Sequence, residues 1–138
     1  MIYHVTRMAL KPGVSEEEVA AVMRRMREAR SSDPSIRSLV LGRDHGGEYD
    51  YSHISVVDDL AAYEAMMNDP AHLEIDRIGL PLVDKFVSFD VTDDPDPELR
   101  TQIAAVHQRR FDAVPDVAEL VAGLGEYSGS AAPGPHAT

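Results

Sequence analysis

The chain of 138 residues contains no cysteine, so disulfides, thiol nucleophiles and cysteine-ligated metals are excluded at once. No apolar run approaches the ~20 residues that a membrane-spanning helix needs. The opening Met1-Ile2-Tyr3-His4 lacks the basic and apolar segments of a secretory signal, so a cytoplasmic protein is expected. Basic residues are scarce: 13 Lys and Arg against 24 Asp and Glu give a net charge of −11. Phosphate backbones are held mainly by lysine and arginine, so this balance argues against a nucleic-acid partner. The one basic cluster, Arg24, Arg25, Arg27 and Arg30, falls within one predicted helix and reads as a solvated face. Glycine-rich phosphate loops and serine nucleophile elbows are absent. No helix carries an HxxxH pair, and the i, i+4 spacing of His72 and Asp76 is common by chance. The expectation is therefore no metal.

What is present suits one globular domain, with 43% hydrophobic and 27% charged residues. Residues 2–10 alternate, with Ile2, His4, Thr6 and Met8 on one face of a strand and Tyr3, Val5 and Arg7 on the other. Lys11-Pro12-Gly13 turns the chain. Ser15 and Glu18 form a capping box, and Val19, Val22, Met23 and Met26 make one apolar helical stripe. Ser31 to Pro34 ends that helix. Strands follow over 36–42 and 49–57, joined by a loop containing Gly46-Gly47. Asp58 or Asp59 caps a second helix, Asn68-Asp69-Pro70 breaks it, and a further helical turn runs through His72 to Arg77. Residues 83–91 give a fourth strand.

The order β-α-β-β-α-β predicts an α+β, ferredoxin-like antiparallel sheet with both helices on one face. The other face then holds Tyr3, Val5, Leu39, Ile54, Val56, Val87 and Phe89, an apolar surface that predicts a two-fold homodimer packed sheet to sheet. Three segments are expected: the barrel domain over 1–92, a helical extension over 93–127 and a disordered tail over 128–138. Within the extension, helices are expected over 98–111 and 115–124, packing on the partner subunit or roofing a pocket.

Six histidines are the candidates for chemistry. His136 lies in the tail, His107 reads as a surface residue beside Arg109 and Arg110, and His45 sits in the glycine loop. His4, His53 and His72 come from three elements that the topology brings together between sheet and helices. Core histidines satisfied by neighbours are one explanation. A polar cluster in so small a core is costly unless paired or useful, and that makes a functional pocket the other.

The chain resembles the stress-responsive A/B barrel (Dabb) family of the dimeric α+β barrel group. The resemblance rests on Tyr3-His4-Val5, Tyr51-Ser52-His53-Ile54, Asp69-Pro70-Ala71-His72 and Phe86-Val87-Ser88-Phe89-Asp90, and covers residues 1–92. Residues 93–138 are similar to an extension carried by actinobacterial members. The resemblance implies a cofactor-independent enzyme on a small carbonyl or polyketide-like compound, an aldol-type cyclase or a lyase. His72 would be the general base, with His4 and His53 orienting it or polarising the carbonyl. Tyr51, Tyr63 and Met66 would contact substrate. A plant polyketide cyclase of the group has its key tyrosine six residues before the last histidine, where this chain has Met66. A thioether transfers no proton, and Tyr63, nearly one helical turn earlier, is either the substitute phenol or a core residue. The alternative is a non-catalytic small-molecule-binding or stress-response protein. Haem or metal binding is a third reading, since related barrels bind haem.

Overall fold

The computed structural model describes residues 1–129. The elements are β1 (Ile2–Leu10), α1 (Glu16–Ser31), β2 (Ile36–Arg43), β3 (Tyr51–Val57), α2 (Leu60–Asn68) and α3 (Pro70–Gly79). A single 3-10 turn (Leu80–Leu82) leads into β4 (Val83–Thr92), followed by α4 (Leu99–Ala113), α5 (Pro115–Ala122) and β5 (Glu126–Gly129). The strands form one sheet in the order β2-β3-β1-β4-β5. Every pairing is antiparallel except β4 with β5. Strands β1 to β4 with α1 to α3 make the expected ferredoxin-like unit, its second helix broken in two.

Local sequence explains the breaks. At the start of α1, Ser15 Oγ accepts from the Glu18 amide at 3.1 Å, and the Ser15 amide donates to Glu18 Oε2 at 2.8 Å. Asp59 caps α2 through the Ala62 amide at 2.9 Å. Asp69 ends α2 and opens α3, where Pro70 occupies the first turn and needs no amide partner. The loop between β2 and β3 turns at Gly47, whose φ of 93° lies in the left-handed region that a Cβ disfavours. Arg7 holds that loop, donating to Asp44 at 2.7 and 2.9 Å.

Strand β1 lies at the sheet's centre, with Thr6 opposite His53 on β3 and His4 opposite Asp90 on β4. Its inward residues Ile2, His4 and Thr6 are buried beneath the helices. One sequence expectation is corrected. The β2–β3 register shifts between Ile36 and Ser38, so Leu39 faces Ser55 and Val40 faces Ile54. One extra residue flips the following side chains, which turns Leu39 to the helix side and leaves Val40 on the open face.

The extension folds back on its own chain, with α4 against α2 and α5 against α3. Leu99, Ile103 and Val106 join Ile2, Val57, Tyr63, Met66 and Met67 in the main core. The tail expected from residue 128 is corrected in part. Ser128 and Gly129 belong to β5, which pairs with β4 while Tyr127 stacks on Phe86 at 5.9 Å. Residues 130–138 lie outside the described residues.

Candidate active site

A cavity of about 100 Å³ lies between the sheet and the helices. A bound water needs roughly 10–15 Å³, so the space suits several waters or a small organic molecule. His4, Thr6 and Ser88 of the sheet reach it from below, and Met26 and Arg30 of α1 from one side. Met67, His72, Ile75 and Asp76 come from α2 and α3, and His107, Arg110 and Phe111 from α4.

The polar groups form two sets. In the first, His4 Nδ1 lies 2.8 Å from Asp90 Oδ1, both side chains almost fully buried. Tyr63 Oη lies 3.1 Å from Asp90 Oδ2, 2.6 Å from His107 Nε2 and 3.3 Å from His4 Nδ1. One assignment of protons satisfies this set. His107 Nε2–H donates to the Tyr63 oxygen, Tyr63 O–H donates to Asp90, and His4 Nδ1–H donates to Asp90. His4 Nε2 is then the ring's basic nitrogen. Burial and the nearby Asp90 raise the Tyr63 phenol well above its ordinary value, so it stays a donor. Burial lowers the His107 imidazole to about 4.

In the second set, Arg30 donates through one terminal nitrogen to His72 Nδ1 at 2.8 Å. That contact occupies the lone pair on Nδ1 and puts the His72 proton on Nε2, which lies 3.6 Å from Asp76 Oδ2. Asp76 is ion-paired with Arg110. Burial and then the two guanidiniums hold His72 well below its ordinary pKa. A neutral imidazole whose lone pair faces a cation is a poor base but a usable N–H donor.

The predicted site residues separate accordingly. His4, His72 and Tyr51 line the cavity together. His53 does not reach it. Its ring lies along the strand, with Nε2 hydrogen-bonded to Ser55 Oγ and Nδ1 3.4 Å from Thr6 Oγ1, and the residue is fully buried. Tyr63 does not line the cavity and meets it only through its contacts with His4 and Asp90. Met66 packs in the main core while its neighbour Met67 reaches the cavity wall.

Two surface expectations are corrected. His107 is buried because α4 continues its stripe of Leu99, Ile103 and Val106 through His107, Arg110 and Phe111. Arg30 is only 5% exposed, since it follows Met26 by four residues on the inward face of α1. Asp90 was also missed. Its signal was alternation, for Ser88 and Asp90 share the inward face of β4 with no apolar reason to be there.

Among the described residues no three His, Cys, Asp or Glu side chains converge as metal ligands would, and no helix is long and apolar enough to cross a membrane.

The model of the stress-responsive A/B barrel domain matches residues 2–93. The chain belongs to this family. No curated protein matches it significantly. Solved structures agree on the fold. A dimeric ferredoxin-like protein of unknown function from Thermobifida fusca is 20% identical, with TM-score 0.61, covering 66% of this chain and 89% of its own. A Dabb protein with a ferredoxin-like fold from Mesorhizobium loti is 21% identical, with TM-score 0.61, covering 67% and 96%. A hydroxynitrile lyase from Passiflora edulis is 15% identical, with TM-score 0.61, covering 69% and 94%. The match of this A/B barrel chain ends before α4, so the family region holds His4, His72, Tyr63 and Asp90 but not His107.

Proposed function

We propose that this protein is a cofactor-independent enzyme that takes a proton from a small carbonyl compound or its adduct, as a lyase or an aldol-type cyclase does. The observation that carries this reading is His4 on the wall of a cavity, held from behind by the buried Asp90 at 2.8 Å. A carboxylate that fixes one ring nitrogen as N–H orients the other as a base. His4 takes the proton. His72, with Nε2–H in the same cavity, polarises the carbonyl oxygen as a neutral donor. This exchanges the roles that the sequence assigned to the two histidines, because Arg30 occupies the His72 lone pair. The hydroxynitrile lyase neighbour supports a small-molecule lyase as one form of the chemistry.

Two probes test it: cleavage of mandelonitrile, and uptake of solvent deuterium by small methyl ketones. Turnover above the buffer rate is expected with one of them. His4→Ala should lower it by about 10²–10⁴-fold. Unchanged turnover in His4→Ala would remove His4 from the mechanism.

A non-catalytic binder is the second reading. It is favoured by Met66, whose thioether sits in the core where the resembled cyclase has a phenol. Ligand binding without turnover of either probe would select it.

The functional unit is a homodimer paired through the open sheet face. Tyr3, Val40 and Val91 on that face are 41%, 60% and 53% exposed, too much clustered apolar surface to leave in water. The dimeric neighbour from Thermobifida fusca supports a dimer.

A further inference from the structure

Two arginines are buried in the cavity wall, and their charges are handled differently. Arg110 meets Asp76. Arg30 meets no carboxylate within 4.0 Å among the described residues, where the one hydrogen-bond partner of its guanidinium is the neutral ring of His72. Among the described residues its Nε, like that of Arg110, has no partner. Asp33 and Asp69 act on it only through space. A guanidinium that is 5% exposed and unpaired is expensive to maintain, unless the missing anion arrives with a ligand. Burial lowers this group to about 10, so it keeps its charge at neutral pH.

We propose that the cavity binds a small monocarboxylate, with the carboxylate seated on Arg30 and the ligand's apolar body against Met23, Met26 and Ile75. The planar guanidinium fork matches a carboxylate. The methionine and isoleucine walls add no cation, and the cavity's other guanidinium, Arg110, is already ion-paired with Asp76, so the seat suits a monoanion better than a phosphate dianion. His72 adjoins the seat through Nδ1, with its Nε2 3.6 Å from Asp76 Oδ2. The inference rests on the proposed site and names its ligand class: a carboxylate-bearing carbonyl compound, or the acid released from one.

The experiment is calorimetric titration of the full chain with benzoate against benzamide, and hexanoate against hexanamide. At least one acid should bind about tenfold or more tighter than its amide. Arg30→Met should bring the paired affinities together, and Arg30→Lys should keep part of the preference. Removing an uncompensated buried charge should leave the melting temperature of Arg30→Met equal to or above that of the parent. Benzoate should raise the melting temperature of the parent alone. Arg30→Gln serves as the second variant if Arg30→Met does not fold. Equal affinity for acid and amide, no binding of either acid, or a preference that survives loss of the guanidinium would each overturn the proposal. The acid preference should persist in His4→Ala, so a failure of the catalytic reading and a failure of this one look different.

Discussion

At the scale of residues, burial without charge dominates the site. His53, His72 and His107 all have pKa values lowered, first by desolvation. The sign of the consequence follows. Below about 6.5 the unfolded chain binds protons that the native rings refuse, so unfolding gains and stability falls. For His107 the loss runs from about 6.5 down to its native value of about 4 and then stops. Within that window each such histidine contributes a slope approaching about 1.4 kcal/mol per pH unit. Urea unfolding between pH 7 and 4 should show stability falling steadily, and His107→Gln should flatten the curve. A stability independent of pH over that range would mean the rings are solvated. The positions of His4 and His72 were legible because strand alternation and topology fix them. Arg30 and His107 were not, because charged and polar side chains on helices usually face solvent. Their spacing from Met26 and Ile103 carried the contrary signal.

Among the elements, the capping box of α1 and the proline that opens α3 were plain in the sequence, since both act within one turn. Strand β5 was not. Glu126-Tyr127-Ser128-Gly129 is too short to alternate, and its pairing with β4 depends on where α4 and α5 bring the chain. Helix α4 was legible as a helix, but its partner was not, because an apolar stripe does not say what covers it. The stripe completes the core, so Ile103→Ala, at 2% exposure, should cost about 2–5 kcal/mol by denaturant unfolding. A cost below about 0.5 kcal/mol would place α4 away from the core. Ending the chain before Leu99 should expose the Tyr63–Asp90 pair to water and lower thermal stability.

For the whole molecule, the ferredoxin-like order was readable from element types alone, while the exact open face was not. The bulge in β2 exchanges Leu39 for Val40, and no local pattern marks it. The resulting face predicts a particle of twice the chain's mass in sedimentation. Ile54→Glu, facing Val5 and Val40 across the sheet, should shift the particle to monomer while circular dichroism stays unchanged. A monomeric parent protein would leave that face for another partner.

The central claim is that His4 presents a basic nitrogen to the cavity while His72 presents a proton. Long-range ¹⁵N–¹H correlation spectra of histidine-labelled protein, with His4→Gln and His72→Gln for assignment, read both tautomers directly. His4 should be protonated on Nδ1, and His72 should be neutral with its proton on Nε2. His72 protonated on Nδ1, or His4 with its only proton on Nε2, would contradict it.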